Sequence, residues 1–104
     1  MRQDEVRAGV LRDVEAGESY SIEGLRRLVR DWEGTWRRCL PEHEPDDFAT
    51  SEQMEFAARD REARGHLEVT DEDHQELYRY WYYMQELRTL EAIDREAGDH
   101  LGAS

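Results

Sequence analysis

Residues 70–97 read TDEDHQELYRYWYYMQELRTLEAIDREA, and this stretch decides the architecture. Thr70 is a natural helix N-cap, because its hydroxyl can accept from the free backbone N–H groups of the first turn. Asp71, Glu72 and Asp73 follow, placing negative charge at the positive end of the helix dipole. No Gly or Pro interrupts the run before Gly98, so the pattern predicts a helix over 71–97 closed by Gly98 at the C′ position. At ~1.5 Å per residue it reaches roughly 40 Å, the longest element of the chain.

At about 100° per residue, Leu77, Tyr80, Trp81, Met84 and Leu87 share one face of this helix, and Leu90 and Ala97 continue it with some drift. Tyr78, Tyr82 and Ile93 lie off that stripe, and Tyr83 sits at its edge. A helix that is apolar on nearly all sides is wrapped by its neighbours, or it turns one stripe to the core and another to a partner. Tyrosine suits the second arrangement, since it offers a large apolar body with a polar tip.

Working outward, three shorter helices are expected, over 3–16, 21–40 and 51–64. In the first, Val6, Val10 and Val14 recur every fourth residue, Leu11 adds to the apolar side, and Gly17 ends the run. The second has Ser21 as N-cap, with Tyr20 placed to pack on Leu25 as a hydrophobic staple. Ile22, Leu25, Leu28, Val29, Trp32, Trp36, Cys39 and Leu40 fall within an arc of about 120°, and Pro41 stops the helix. Gly34 inside it either admits a second helix closely or faces solvent. The third begins near Thr50, with Thr50 and Gln53 in capping-box spacing, and closes at Gly65. Its apolar stripe of Met54, Ala57 and Ala58 is narrow, and Phe56 points elsewhere. Leu67 and Val69 are expected to tuck inward before the long helix, and the tail after Gly98 to fray. The expectation is all-α: a small four-helix bundle-like domain over residues 1–104 with one long C-terminal helix.

Hydrophobic and charged residues each make up 38% of the 104, so the core must be thin and most helices half-exposed. Twenty-six acidic residues face fourteen basic ones, all arginine, for a net charge of -12. The charge is segregated. Arg26, Arg27, Arg30, Arg37 and Arg38 against Glu23, Asp31 and Glu33 leave residues 21–41 at +2, so the rest of the chain carries -14. Such acidity disfavours direct contact with nucleic acid or an anionic membrane and favours a basic protein surface. Halophilic adaptation would account for the same acidity without a partner. One cysteine allows no internal disulfide, and no apolar run has signal-peptide or membrane-spanning length, which points to the cytoplasm.

Site chemistry is sparse. No Glu-x-x-His pair of the ferritin-like kind occurs; Asp71-x-x-His74 is the nearest, at a helix start where acids are expected for capping. His43, His66 and His100 lack zinc-spaced partners, and Cys39 lies on an apolar face. Ser19, Ser21 and Ser51 look like turn or capping residues, and the glycines form no phosphate loop. The reading is therefore of a non-enzyme with no catalytic, cofactor or metal residues. It is expected to be an acidic interaction module, an inhibitor or adaptor that docks on a basic, nucleic-acid-binding protein. Small phage-encoded anti-defence inhibitors share this physical character. The residues expected to touch the partner are Tyr78 and Tyr82 as anchors, with Glu42, Glu44, Asp46, Asp47, Asp71, Glu72 and Asp73 as the rim. The alternative is a homodimer pairing Tyr78, Tyr82 and Ile93 across a two-fold axis, with an acidic surface owed to halophily. A metal-binding enzyme and a DNA-binding domain using the arginine stripe are weaker readings.

Overall fold

The computed structural model describes residues 1–18, 20–65 and 67–102, with side chains up to Ala97. Ser19, His66 and the side chain of His100 therefore lie outside the described residues. Four helices follow in order: α1 (Gln3–Ala16), α2 (Ile22–Cys39), α3 (Ser51–Arg64) and α4 (Asp71–Gly102), with a short 3-10 turn at Pro45–Asp47. No strand is formed among the described residues. An isolated bridge pairs Arg2 with Thr50, and Gln3 N–H donates to the Ala49 carbonyl (2.7 Å), holding the start of α1 beside the entry to α3.

The helix starts are set by local chemistry. Ser21 Oγ accepts from Gly24 N–H (3.0 Å), and Thr50 Oγ1 accepts from Gln53 N–H (3.1 Å). The Gln53 side chain does not return to Thr50 as a closed box would; it accepts from Ala49 N–H (3.0 Å), one residue earlier. The box closes at α4, where Thr70 Oγ1 accepts from Asp73 N–H (3.1 Å) and Asp73 Oδ2 accepts from Thr70 N–H (3.0 Å). Gly17 ends α1 in the left-handed region, φ 73°. Gly65 ends α3 in extended backbone, its N–H still bonded to the Arg61 carbonyl (2.9 Å).

Gly98 does not close α4, contrary to the C′ reading, and residues 98–102 continue the helix. Glycine terminates a helix by turning left-handed, and among the described residues only Gly17 has positive φ. Tyr20, just before the α2 cap, is 58% exposed and packs edge-on against Tyr83, ring centroids 6.3 Å apart.

α4 is the axis on which the other helices pack, and its length gives the molecule an extent of 55 Å against 23 and 22 Å. α2 runs antiparallel to it. Arg38 at the C-terminal end of α2 pairs with Asp73 (2.6 Å), Thr35 bonds Glu76, and Arg26 reaches Glu91 (3.7 Å). The core between them holds Leu25, Val29, Trp36, Leu40, Leu77, Tyr80, Trp81, Leu87 and Leu90, joined by Val6 and Val10 of α1, Met54 and Ala58 of α3, and Phe48. Val69 is buried and Leu67 packs against the same cluster. At the centre, the fully buried Trp81 donates its indole N–H to the Phe48 carbonyl (3.1 Å). Gln85, also buried, donates to the Pro45 carbonyl (3.1 Å) and accepts from the Gln3 side chain (2.8 Å), tying the 3-10 turn and α1 to the axis. Both polar groups are satisfied, as burial requires.

A candidate docking surface on α2 and α4

α2 and the start of α1 cover much of α4, yet Tyr78, Tyr82 and Tyr83 remain only partly buried. Their rings form a continuous chain. Tyr78 and Tyr82, one turn apart, stack with centroids 6.3 Å apart and planes at 18°. Tyr82 meets Tyr83 edge to face (5.3 Å, 84°), and Tyr83 stacks on the half-buried Trp32 of α2 (5.6 Å, 23°). Tyr20 closes the far end against Tyr83. The Arg79 guanidinium lies 6.0 Å from the centroid of Trp32. Helical periodicity does not reveal Trp32 and Tyr20 as members of this patch. Both have local explanations, as core stripe and as staple, and their meeting on Tyr83 depends on how α2 lies against α4.

Glu86 lies behind the patch as a buried carboxyl one turn after Tyr82. Burial and the Asp13 charge push its pKa up, and the Tyr82 phenol partly offsets this by favouring the charged form. The Tyr82 phenol is in turn pushed up to about 12, first by its own burial and then by the Glu86 charge. Near Tyr78 a small groove lined by Glu55, His74, Gln75, Tyr78 and Arg79 opens beside His74, whose Nδ1 is buried without a hydrogen-bond partner.

The carboxylates expected to form one rim divide into different roles. Glu44 (3.5 Å) and Asp46 both close on Arg88 of α4. Asp47 accepts from Glu44 N–H (2.9 Å) and faces His43 Nδ1 (3.6 Å). Glu42 is exposed at the edge of a groove of about 480 Å³ over Leu40, Ala57 and Leu67, shared with His43 and Arg61. Asp73 is spent on Arg38 and the Thr70 cap, and the Arg38 guanidinium holds its carboxyl below the usual range. Asp71 and Glu72 remain exposed and outside the ion pairs found among the described residues. They stand seven residues before Tyr78 and Arg79, a spacing that puts each pair on one face of α4. Asp71 thus shares a face of α4 with Tyr78 and Glu72 one with Arg79, whereas the loop acids Glu44, Asp46 and Asp47 are engaged elsewhere.

Comparison with known proteins adds no family to this picture. No family model matches the chain, and no curated protein or solved structure proves similar to it.

Other chemistry is limited. Cys39 is buried, and burial raises its thiol pKa, which keeps it protonated. Among the described residues, no three His, Cys, Asp or Glu side chains come together as a metal site would need. No helix among them is long and apolar enough to cross a membrane. The arginine stripe of α2 is largely engaged: Arg26 with Glu91, Arg37 with Glu33 (2.7 Å), Arg38 with Asp73. Arg27 and Arg30 remain exposed. The patch itself presents aromatic faces and phenol groups, with exposed carboxylates at Asp71 and Glu72.

Proposed function

We propose that this chain is a protein–protein interaction module, an inhibitor or adaptor that docks on the basic surface of a nucleic-acid-binding protein. The observation that carries the reading is the partly uncovered ring chain from Tyr78 through Tyr82 and Tyr83 to Trp32 and Tyr20, next to the exposed Asp71 and Glu72. The rings supply area that gains by leaving water, and the carboxylates can stand where phosphates would lie in a cationic groove. A net charge of -12 speeds encounter with such a groove and repels nucleic acid itself. Small phage-encoded anti-defence inhibitors are one physical class of such modules.

The test is affinity capture from the source cell with the parent chain and a Tyr78→Ala/Tyr82→Ala variant, whose helicity is checked by circular dichroism. Capture of a basic protein by the parent, lost in the variant and weakened by salt, supports the reading. Binding that persists unchanged at about 1 M salt, where charges are screened within ~3 Å, removes its electrostatic half.

A homodimer is the second reading. It is favoured by Phe56, 74% exposed on α3, and by the partly uncovered tyrosines. Ile93, expected to join Tyr78 and Tyr82 in that contact, is half-buried and lines a groove with Arg7 and Leu11 of α1. Light scattering at micromolar concentration decides; a clean monomer ends the dimer reading.

A further inference from the structure

Arg79 is an exposed arginine in a chain rich in carboxylates, yet none of the ion pairs among the described residues includes it. Its guanidinium lies instead over the ring of Trp32, at 6.0 Å, the outer edge of a cation–π contact. The ring beneath it is held in place. Trp32 stacks on Tyr83, and Tyr83 meets both Tyr20 and Tyr82 edge to face. Asp31 and Glu33 flank Trp32 in sequence, Glu33 being paired with Arg37, and Glu72 stands two turns before Arg79.

We propose that the face of Trp32 is a recognition site for an arginine side chain of the partner, covered in the free protein by the chain's own Arg79. This rests on the docking reading and names the group that the aromatic patch takes. Arg79 is a single exposed side chain at the limit of contact distance, so an incoming guanidinium can displace it and leave Arg79 in water. Arginine is favoured over lysine because its guanidinium is planar and weakly hydrated and stacks on a ring, whereas an ammonium keeps its water more strongly. The chain's net charge of -12 draws in either cation; the preorganised indole distinguishes them.

Octa-arginine and octa-lysine are the probes, equal in charge, titrated into the full chain while the three indole N–H signals are followed by NMR. Trp36 and Trp81 donate to the His43 and Phe48 carbonyls, and among the described residues no such bond is found for Trp32, so its signal is the one expected to respond. Octa-arginine should move the Trp32 signal and bind roughly two- to five-fold more tightly than octa-lysine, the range of an exposed cation–π contact. Arg79→Gln uncovers the ring and should tighten octa-arginine binding, while Trp32→Leu should abolish the preference and leave octa-lysine unaffected. Arg79 is exposed, so its variant keeps the test valid if Trp32→Leu disturbs folding. Equal affinity for the two peptides overturns the arginine site and leaves docking on a basic surface standing. An arginine preference that survives Trp32→Leu also overturns it. Failure of both peptides to bind overturns it too, and capture of the native partner then judges docking independently.

Discussion

Replacing Gly34 by alanine tests whether the outer face of α2 is free. Gly34 lies in the interior of that helix, is exposed, and a Cβ built on it meets nothing within 4 Å. Its φ is not positive, so alanine fits the backbone without strain. Glycine inside a helix costs ~0.8–1.0 kcal/mol relative to alanine, chiefly because the unfolded chain has more freedom to lose. The added methyl projects into open space and disturbs no neighbour, so Gly34→Ala should stabilise by about 1 kcal/mol. For a domain of this size that corresponds to a rise in Tm of roughly 4–8 °C. Thermal melts followed by circular dichroism at two protein concentrations measure it. An unchanged or lowered Tm refutes the reasoning, because it would mean that something packs on Gly34 in solution. A loss that deepens with concentration would identify that something as a second copy, and the close-approach reading of this glycine would be restored.

Three further outcomes follow from the same geometry. Trp81→Ala should cost about 3–5 kcal/mol, since it empties the most deeply buried volume and strips the Phe48 carbonyl of its donor; a urea midpoint close to that of the parent would contradict this. Thr70→Ala removes the hydroxyl that caps α4 and should cost about 1 kcal/mol, read from the same denaturation curves, whereas no change would mean that Asp73 and Arg38 hold the helix start alone. Glu86→Gln should stabilise at neutral pH. The folded carboxyl has a raised pKa, so its contribution is fully present below the unfolded value and is lost as pH rises through the folded one. The variant and parent should therefore converge below about pH 4, and a gain that is independent of pH would show that packing rather than charge is responsible.

Much of the fold is legible in the sequence because it is local. Ser21, Thr50 and Thr70 cap as their spacing predicts, since each hydroxyl reaches an N–H three residues ahead whatever surrounds it. The faces of α2 and α4 that carry Leu25, Trp36, Leu77 and Trp81 turn inward because the largest apolar stripes leave no other arrangement. Gly98 departs from the C′ expectation because glycine permits a helix end without requiring one, and the chain continues to Gly102.

The site is less legible. Tyr78 and Tyr82 do lie off the core stripe, as periodicity expects, and the structure leaves them neither swallowed nor bare. Glu44 and Asp46 read as a free acidic rim because nothing in their own segment can neutralise them. Their counter-ion, Arg88, is more than forty residues away and meets them only when Gln85 draws the Pro45 carbonyl onto α4.

The sequence by itself determined four helices, where they begin, which side chains share a face, and the sign of the surface charge, because these follow from hydrogen bonds and periodicity over a few residues. Only the tertiary structure decided how much of each face is covered: that Trp32 stacks on Tyr83, that Arg79 lies over the indole, and that Asp71 and Glu72 stay outside the ion pairs found while Asp46 does not. Coverage depends on where other helices pass, and helical periodicity places a residue on a side of its helix without fixing what stands opposite it.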